Sequence, residues 1–390
     1  MASIELRDDL RSKWARLRQK MDKLGMDACL VSANVNLYYL TGEIYNGYFY
    51  MSTDNDPWLF IKRPNGLSEE RVLYIRKPED LPRLFQEHHI PMPKNLLLEA
   101  DQLTYNEYLR LENVFQPEKT GNATQVLRQL REVKTPWEIE QFRISAQKHA
   151  ATYQEIPSCF VHGMTDLDFQ IEIERKMRRN GSIGIFRTFG SNMEIFMGSL
   201  LAGENAETAS PFDFALGGAG VTSFPLGANG TVLKSGMAIM VDMAGNYTAY
   251  ATDMTRVFSV GKLTEEAYRA HQASLTIQHE IEQAILPGAA CADLYEIAAK
   301  IVEKEKLTKN FMGTLQQAKF VGHGIGIEIN ELPVLTPRSK EELVPNMVFA
   351  LEPKFVIPGV GAVGIENSFL VTDTGSEKLT NLEEEIIPLE

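Results

Sequence analysis

Four acidic residues stand in stretches that otherwise read as buried strands: Asp242 in IMVDMA, Asp253 in YATDMT, Glu352 in FALEPKF and Glu366 in GIENSF. Burying a carboxylate charge without a partner costs several kcal/mol or more, so four in one half of the chain call for a cation. His323, in the glycine-flanked VGHGIG, adds an imidazole. The five form a hard, oxygen-rich donor set suited to Mn, Fe, Co or Zn, and carboxylates are able to bridge two such ions. A water shared by two metals would be acidified into a nucleophile. Each residue alone also has a plainer reading, as a strand-end aspartate or glutamate, or a packed and hydrogen-bonded histidine.

Positioning these groups requires strands that fold back on one another. AGNYT between the two aspartate strands reads as a turn, so a hairpin brings Asp242 and Asp253 together. Their odd separation leaves the face of each undecided, because a turn or bulge resets the alternation. The connection rich in proline and glycine between Glu352 and Glu366 sets up a similar relation. Short turns around QQAKFVGHGIG, MVFALEPKF and VGIENSFLVTDTG predict antiparallel pairing.

Helices are expected over 4–24, where Leu6, Leu10, Trp14, Leu17, Met21 and Leu24 form one stripe, and after Thr135 and Pro136, a cap followed by proline in the first turn. TDLD at 165–168 opens another that runs to about Arg179, and two more cover 264–285 and 290–306. DACLVSA, WLFIKR and RVLYIRK are strand candidates in the amino-terminal part. The pattern predicts an α/β domain over 1–132 and an α+β domain over 133–390; the acidic ending EEEIIPLE is expected to fray.

With 39 basic and 52 acidic residues the net charge is -13, which opposes binding to nucleic acid or anionic lipid. The sequence has no run of 18 or more uncharged apolar residues that could cross a bilayer. MASIELRDD has neither a basic nor an apolar leader segment, so a cytoplasmic protein is expected. Cys29, Cys159 and Cys291 are too scattered for a disulfide framework.

VDMAGNYTAYATDMTRVFSVG, FVGHGIGIEINELP, LEP and GIEN, in that order, resemble the ligand motifs of the M24 metallopeptidases: Xaa-Pro aminopeptidase, prolidase and methionine aminopeptidase. RLRQKMDKLGMDACLVSANVNLYYLTG is similar to the creatinase-type amino-terminal domain, and KTPWEIEQFRIS to its junction. The resemblance implies a pita-bread catalytic domain with two divalent metal ions, manganese first, with cobalt, iron or zinc as alternatives. In its terms Asp242 would chelate one ion, His323 and Glu352 the other, and Asp253 and Glu366 would bridge them. Glu331 would support proton transfer. A homodimer acting on a small peptide, as an Xaa-Pro aminopeptidase or dipeptidase with a metal-bridging water, is what the likeness implies.

The chain departs from the family pattern at three places. No histidine lies between His162 and His271, and Phe224 or Pro225 stands where the family carries one in the segment before the first metal aspartate; Asn330 replaces a second histidine; Gly364 replaces a frequent arginine. Asparagine can hydrogen-bond but cannot exchange a proton near neutral pH. Asn330 is therefore a candidate oxyanion donor, and Phe224, Tyr250 and Phe214, with Gly364, are candidates for a substrate pocket, core packing being the competing reading for the aromatic residues. Two alternatives stay open: a metal-dependent non-peptidase acting on a small amide or as a lyase, and a non-catalytic metal-binding or scaffold protein.

Overall fold

The computed structural model describes residues 4–67, 71–190 and 193–390. Two compact units divide the chain, Met1–Arg131 and Glu132–Glu390. The first runs α1 (Ile4–Leu24), β1 (Ala28–Val31), α2 (Asn34–Thr41), β2 (Asn46–Ser52), β3 (Trp58–Arg63), β4 (Val72–Tyr74), α3 (Leu81–Glu87), β5 (Asn95–Leu98), α4 (Tyr105–Phe115) and β6 (Lys119–Asn122), and α5 (Ala123–Glu132) follows. Its six strands form one mixed sheet in the order β4-β3-β2-β1-β5-β6. The stripe on α1 buries Leu10, Leu17 and Met21.

The second unit runs α6 (Pro136–Gln154), α7 (Asp166–Arg179), β7 (Gly198–Ala202), β8 (Ala238–Gly245), β9 (Thr252–Val260), α8 (Glu265–Ala284), α9 (Cys291–Lys304), β10 (Gly322–Gly324), β11 (Glu331–Leu335), β12 (Val348–Leu351), β13 (Lys354–Ile357), β14 (Gly361–Gly364), β15 (Asn367–Val371), β16 (Ser376–Lys378) and β17 (Ile387–Leu389). Thr135 and Thr165 each accept from the backbone N–H three residues on, while Glu138 and Asp168 reach back to the cap, satisfying donors that a helix start leaves orphaned. The strands form sheets β11-β10-β12-β15-β16 and β17-β9-β8-β7 and the ribbon β13-β14. Apolar side chains of α8 and α9 pack on one side of this assembly. Those of α7, with Tyr153 of α6, pack on the face of β8 and β9 that carries Ile239, Val241, Met254 and Phe258.

The expected fraying of the acidic ending is not what the chain does. Ile387–Leu389 adds a parallel strand to β9, with Leu389 opposite Val260 and buried. The open edge of β9 offers unpaired N–H and C=O groups, and the two isoleucines and one leucine after the acidic run supply the apolar surface to use them.

Helix α6 buries His149 against the β8–β9 hairpin, its Nδ1 3.0 Å from the Thr252 hydroxyl, and Nε2 has no hydrogen-bond partner among the described residues. A Cβ at Gly245 would fall 2.4 Å from the imidazole, so only glycine admits the ring there. Burial, then the charge of Arg256, lowers the His149 pKa to about 3. The folded protein thus binds fewer protons than the unfolded chain between pH 6.5 and about 3. The stability this neutral ring supports is present above pH 6.5 and lost as pH falls through that window. Urea denaturation will show the wild type losing about 2 kcal/mol more than His149→Gln between pH 7 and 5; equal losses would exclude the imidazole as the group responsible.

Candidate metal centre

The hairpin register settles the faces of its two aspartates. Asp242 lies opposite Thr255 and Asp253 opposite Ala244, so both carboxylates emerge on one face as diagonal neighbours. An antiparallel bridge between Thr255 and Glu366 brings the start of β15 beside them, and the Thr255 hydroxyl donates to Glu366 Oε2 at 2.8 Å. Ser368 fixes the backbone of Asp253 by accepting from its N–H and donating to its C=O, both at 2.9 Å.

His323 enters from β10, paired with Val334 on one side and Ala350 on the other. A Cβ at Gly324 would fall 2.0 Å from the Leu332 carbonyl oxygen, which explains the glycine beside the histidine. Glu352 follows β12; its N–H donates to the Val321 carbonyl at 2.9 Å, and the Ser274 hydroxyl of α8 donates to the carbonyl of Pro353. His323 Nε2 stands 3.3 Å from Glu352 Oε1 and 3.9 Å from Asp253 Oδ2. All five sequence candidates therefore converge. Asp253, Glu352 and Glu366 are buried, whereas Asp242 and His323 are partly open to solvent.

The sequence reading missed a sixth group. Lys354 is wholly buried, and its ammonium lies 2.9 Å from Asp242 Oδ2, 2.7 Å from Glu352 Oε2 and 3.0 Å from Glu366 Oε2. The signal was present: a lysine in ALEPKFVI, two residues from a strand glutamate, needs a buried anion.

Burial and then Asp242 push Asp253 up to about 7, and burial with Asp253 drives Glu366 well above the usual carboxylate range. For Glu352, burial is outweighed by Lys354 and by the bond to His323, giving about 2. Burial likewise opposes the charge on His323, but Glu352 and Asp253 raise it to about 9. Lys354 stays charged because Asp242, Glu352 and Glu366 outweigh its burial. More anions than cations meet here, and the excess centres on Asp253 and Glu366.

That excess meets the donor chemistry of a metal site in part. One ligand atom each of Asp253, His323 and Glu366 lies within 4.8 Å of the others, a span one divalent ion can gather. Two ions do not fit the same way, because the Lys354 ammonium already stands among Asp242, Glu352 and Glu366.

The remaining candidates divide. Asn330 Oδ1 accepts from the Phe189 N–H at 2.7 Å and its Nδ2 donates to the Phe189 carbonyl at 2.9 Å, so the amide clasps a backbone segment. Glu331 Oε1 accepts from the N–H groups of Ile327 and Glu328, and its Oε2 lies 3.4 Å from Lys134 Nζ. Phe224 packs tilted against Phe196 and Phe212, and Phe212 edge-on against Phe214, in a partly exposed aromatic group. Tyr250 is a correction to the pocket reading. Its ring is buried against Trp137 and Phe142 and its hydroxyl donates to Glu138 at 2.8 Å, which makes it core. Gly364 lies opposite Lys354 in the β13–β14 ribbon.

The family model for metallopeptidase family M24 matches residues 140–373, and that for the creatinase/prolidase N-terminal domain matches 13–133. An uncharacterized peptidase of Staphylococcus aureus (strain USA300) is 26% identical over 380 residues, covering 95% of this chain and 99% of that protein. An Xaa-Pro dipeptidase of Pyrococcus horikoshii is 24% identical over 389 residues, covering 97% and 100%. Among solved structures, the prolidase from Pyrococcus horikoshii OT3 matches with a TM-score of 0.78 at 22% identity over 96% of this chain and all of that one. An Xaa-Pro dipeptidase from Bacillus anthracis matches with a TM-score of 0.79 at 23% identity, covering 97% and 100%. These structures share the fold, a creatinase-type domain ahead of a pita-bread domain. With residues 140–373, more than half of its length, matched by the family model, the chain belongs to metallopeptidase family M24, a family of dinuclear metal enzymes.

Proposed function

We propose that the protein is a metal-dependent peptidase that cleaves short peptides, with Xaa-Pro dipeptides the first substrates to test. The convergence of Asp242, Asp253, His323, Glu352 and Glu366 on one half-open centre supports the reading above all. Asp253, His323 and Glu366 would hold a divalent ion, manganese first, with cobalt, iron or zinc as alternatives. When bound, such an ion supplies Lewis acidity and a more acidic water. Glu352 orients the His323 imidazole, Thr255 orients the Glu366 carboxylate, and the open side at Asp242 and His323 admits substrate. Proline preference is proposed from the relatives named for it, and a cytoplasmic homodimer is the state expected to go with it. No helix among the described residues is long and apolar enough to cross a membrane.

The test is a mass-resolved screen of mixed dipeptides and tripeptides with protein reconstituted separately with Mn, Co, Fe and Zn, against the metal-stripped protein. Cleavage only in a metal form, with one solvent oxygen in the product, is the expected result. A second reading, a hydrolase of some other small amide or a lyase, is favoured by the amide of Asn330, which is engaged with the Phe189 backbone rather than offered as a free donor. Metal-loaded protein that cleaves no peptide would move the assignment there.

A further inference from the structure

The Lys354 ammonium carries three N–H donors and no acceptor, and three different carboxylates surround it at 2.7–3.0 Å. We propose that it stands permanently in the place of one of the two metal ions, so that this centre binds a single divalent cation. The inference rests on the reading of these residues as metal-ligating, and concerns how many ions they take.

Three observations carry it. First, Asp242 and one oxygen each of Glu352 and Glu366 are committed to Lys354. Glu366 Oε2 also accepts from Thr255, leaving its other oxygen for a cation on the opposite side. Second, what remains is a coherent one-ion set: the ligand atoms of Asp253, His323 and Glu366 cluster within 4.8 Å, and Asp242 is not among them. Paired metals in two-metal sites stand about 3.5–4 Å apart and share their carboxylates. An ammonium at one of those positions both repels a second dication and holds the oxygens it would need.

Third, the two strands of the ribbon approach closely at this lysine. Gly364, its partner across the ribbon, has φ +144°, and a Cβ there would fall 2.5 Å from the Pro353 carbonyl oxygen, 2.8 Å from Lys354 Cα and 3.3 Å from Lys354 Cγ. A side chain at 364 would clash with the facing backbone and crowd the root of the lysine stem. Gly364, a pocket candidate in the sequence where the family often has an arginine, also leaves room for the Lys354 stem beside it.

The experiment strips full-length protein with chelator and titrates it with manganese(II) chloride by calorimetry, then counts retained manganese per chain by mass spectrometry after desalting. The wild type will saturate at one ion and Lys354→Ala at two, with thermal melts establishing that the variant is folded. Two ions on the wild type, or none, overturn the proposal; so does a folded Lys354→Ala protein that stops at one. Should the variant not fold, the wild-type count decides alone. Because the count needs no turnover, one ion without peptide cleavage would refute the peptidase reading only, and two ions with cleavage would refute this inference only.

Discussion

Asp253→Asn will lower kcat/KM on whichever substrate the screen identifies by about 10³-fold, while making the metal-free protein harder to melt. The loss of rate is the upper part of the range for deleting one stabilising group at a reacting centre. The gain in stability has a separate origin. Asp253 is buried beside Asp242 and its carboxyl is pushed up to about 7, so without an added cation the folded state resists its ionisation. An acid whose folded pKa lies above its unfolded value contributes stability that is complete below pH 3.8 and lost as pH rises through about 7. Asparagine has the shape of the protonated acid and removes that penalty. At pH 8 the metal-free variant should melt several degrees above the metal-free wild type, and the gap should close as pH falls toward 4. A variant that is equally active, or a gap that does not depend on pH, would refute the assignment of this carboxylate.

Arg256→Met will destabilise the protein by about 3–5 kcal/mol and weaken manganese binding by about 10- to 100-fold. The guanidinium is fully buried behind the centre and donates to the carbonyl oxygens of Thr255, Glu366 and Glu383 at 2.8, 3.0 and 2.7 Å and to Asn367 Oδ1 at 2.9 Å. Burial lowers its pKa only to about 10, so it is charged at neutral pH. Methionine fills much of the volume but leaves those acceptors unpaired, and Thr255 and Glu366 then lose the clamp that aligns them. Urea denaturation and the calorimetric titration read the two effects; a loss below about 1 kcal/mol would show that water replaces the guanidinium without cost.

Elements whose signal is local were readable from the sequence. The α1 stripe, the caps at Thr135 and Thr165 and the apolar run of WLFIKR each depend on neighbours a few residues away, and each forms where its pattern lies. The acidic strand residues were visible as anomalies because an apolar strand has no ordinary use for a carboxylate. Their register was not, since the hairpin loop resets alternation and only pairing puts Asp253 opposite Ala244. Lys354 escaped for a different reason. Counting acids leads to the question of what neutralises them, and an external metal answers it before the chain's own lysine is considered. Tyr250 sits beside a ligand strand in sequence but turns toward Glu138, a contact across 112 residues that no local pattern encodes.

The lysine also changes how the protein relates to its metal supply. A centre whose acids are answered only by imported ions remains electrostatically frustrated until those ions arrive, and chelation or starvation then threatens the fold as well as the activity. Here β13 brings a non-exchangeable counter-charge to Asp242, Glu352 and Glu366 in the same chain. The ribosome delivers that charge with the polypeptide, so the sheet around it can close before any metal is encountered. Scarcity of metal would then silence this protein without unfolding it, leaving an intact apo form ready to be loaded when the ion returns.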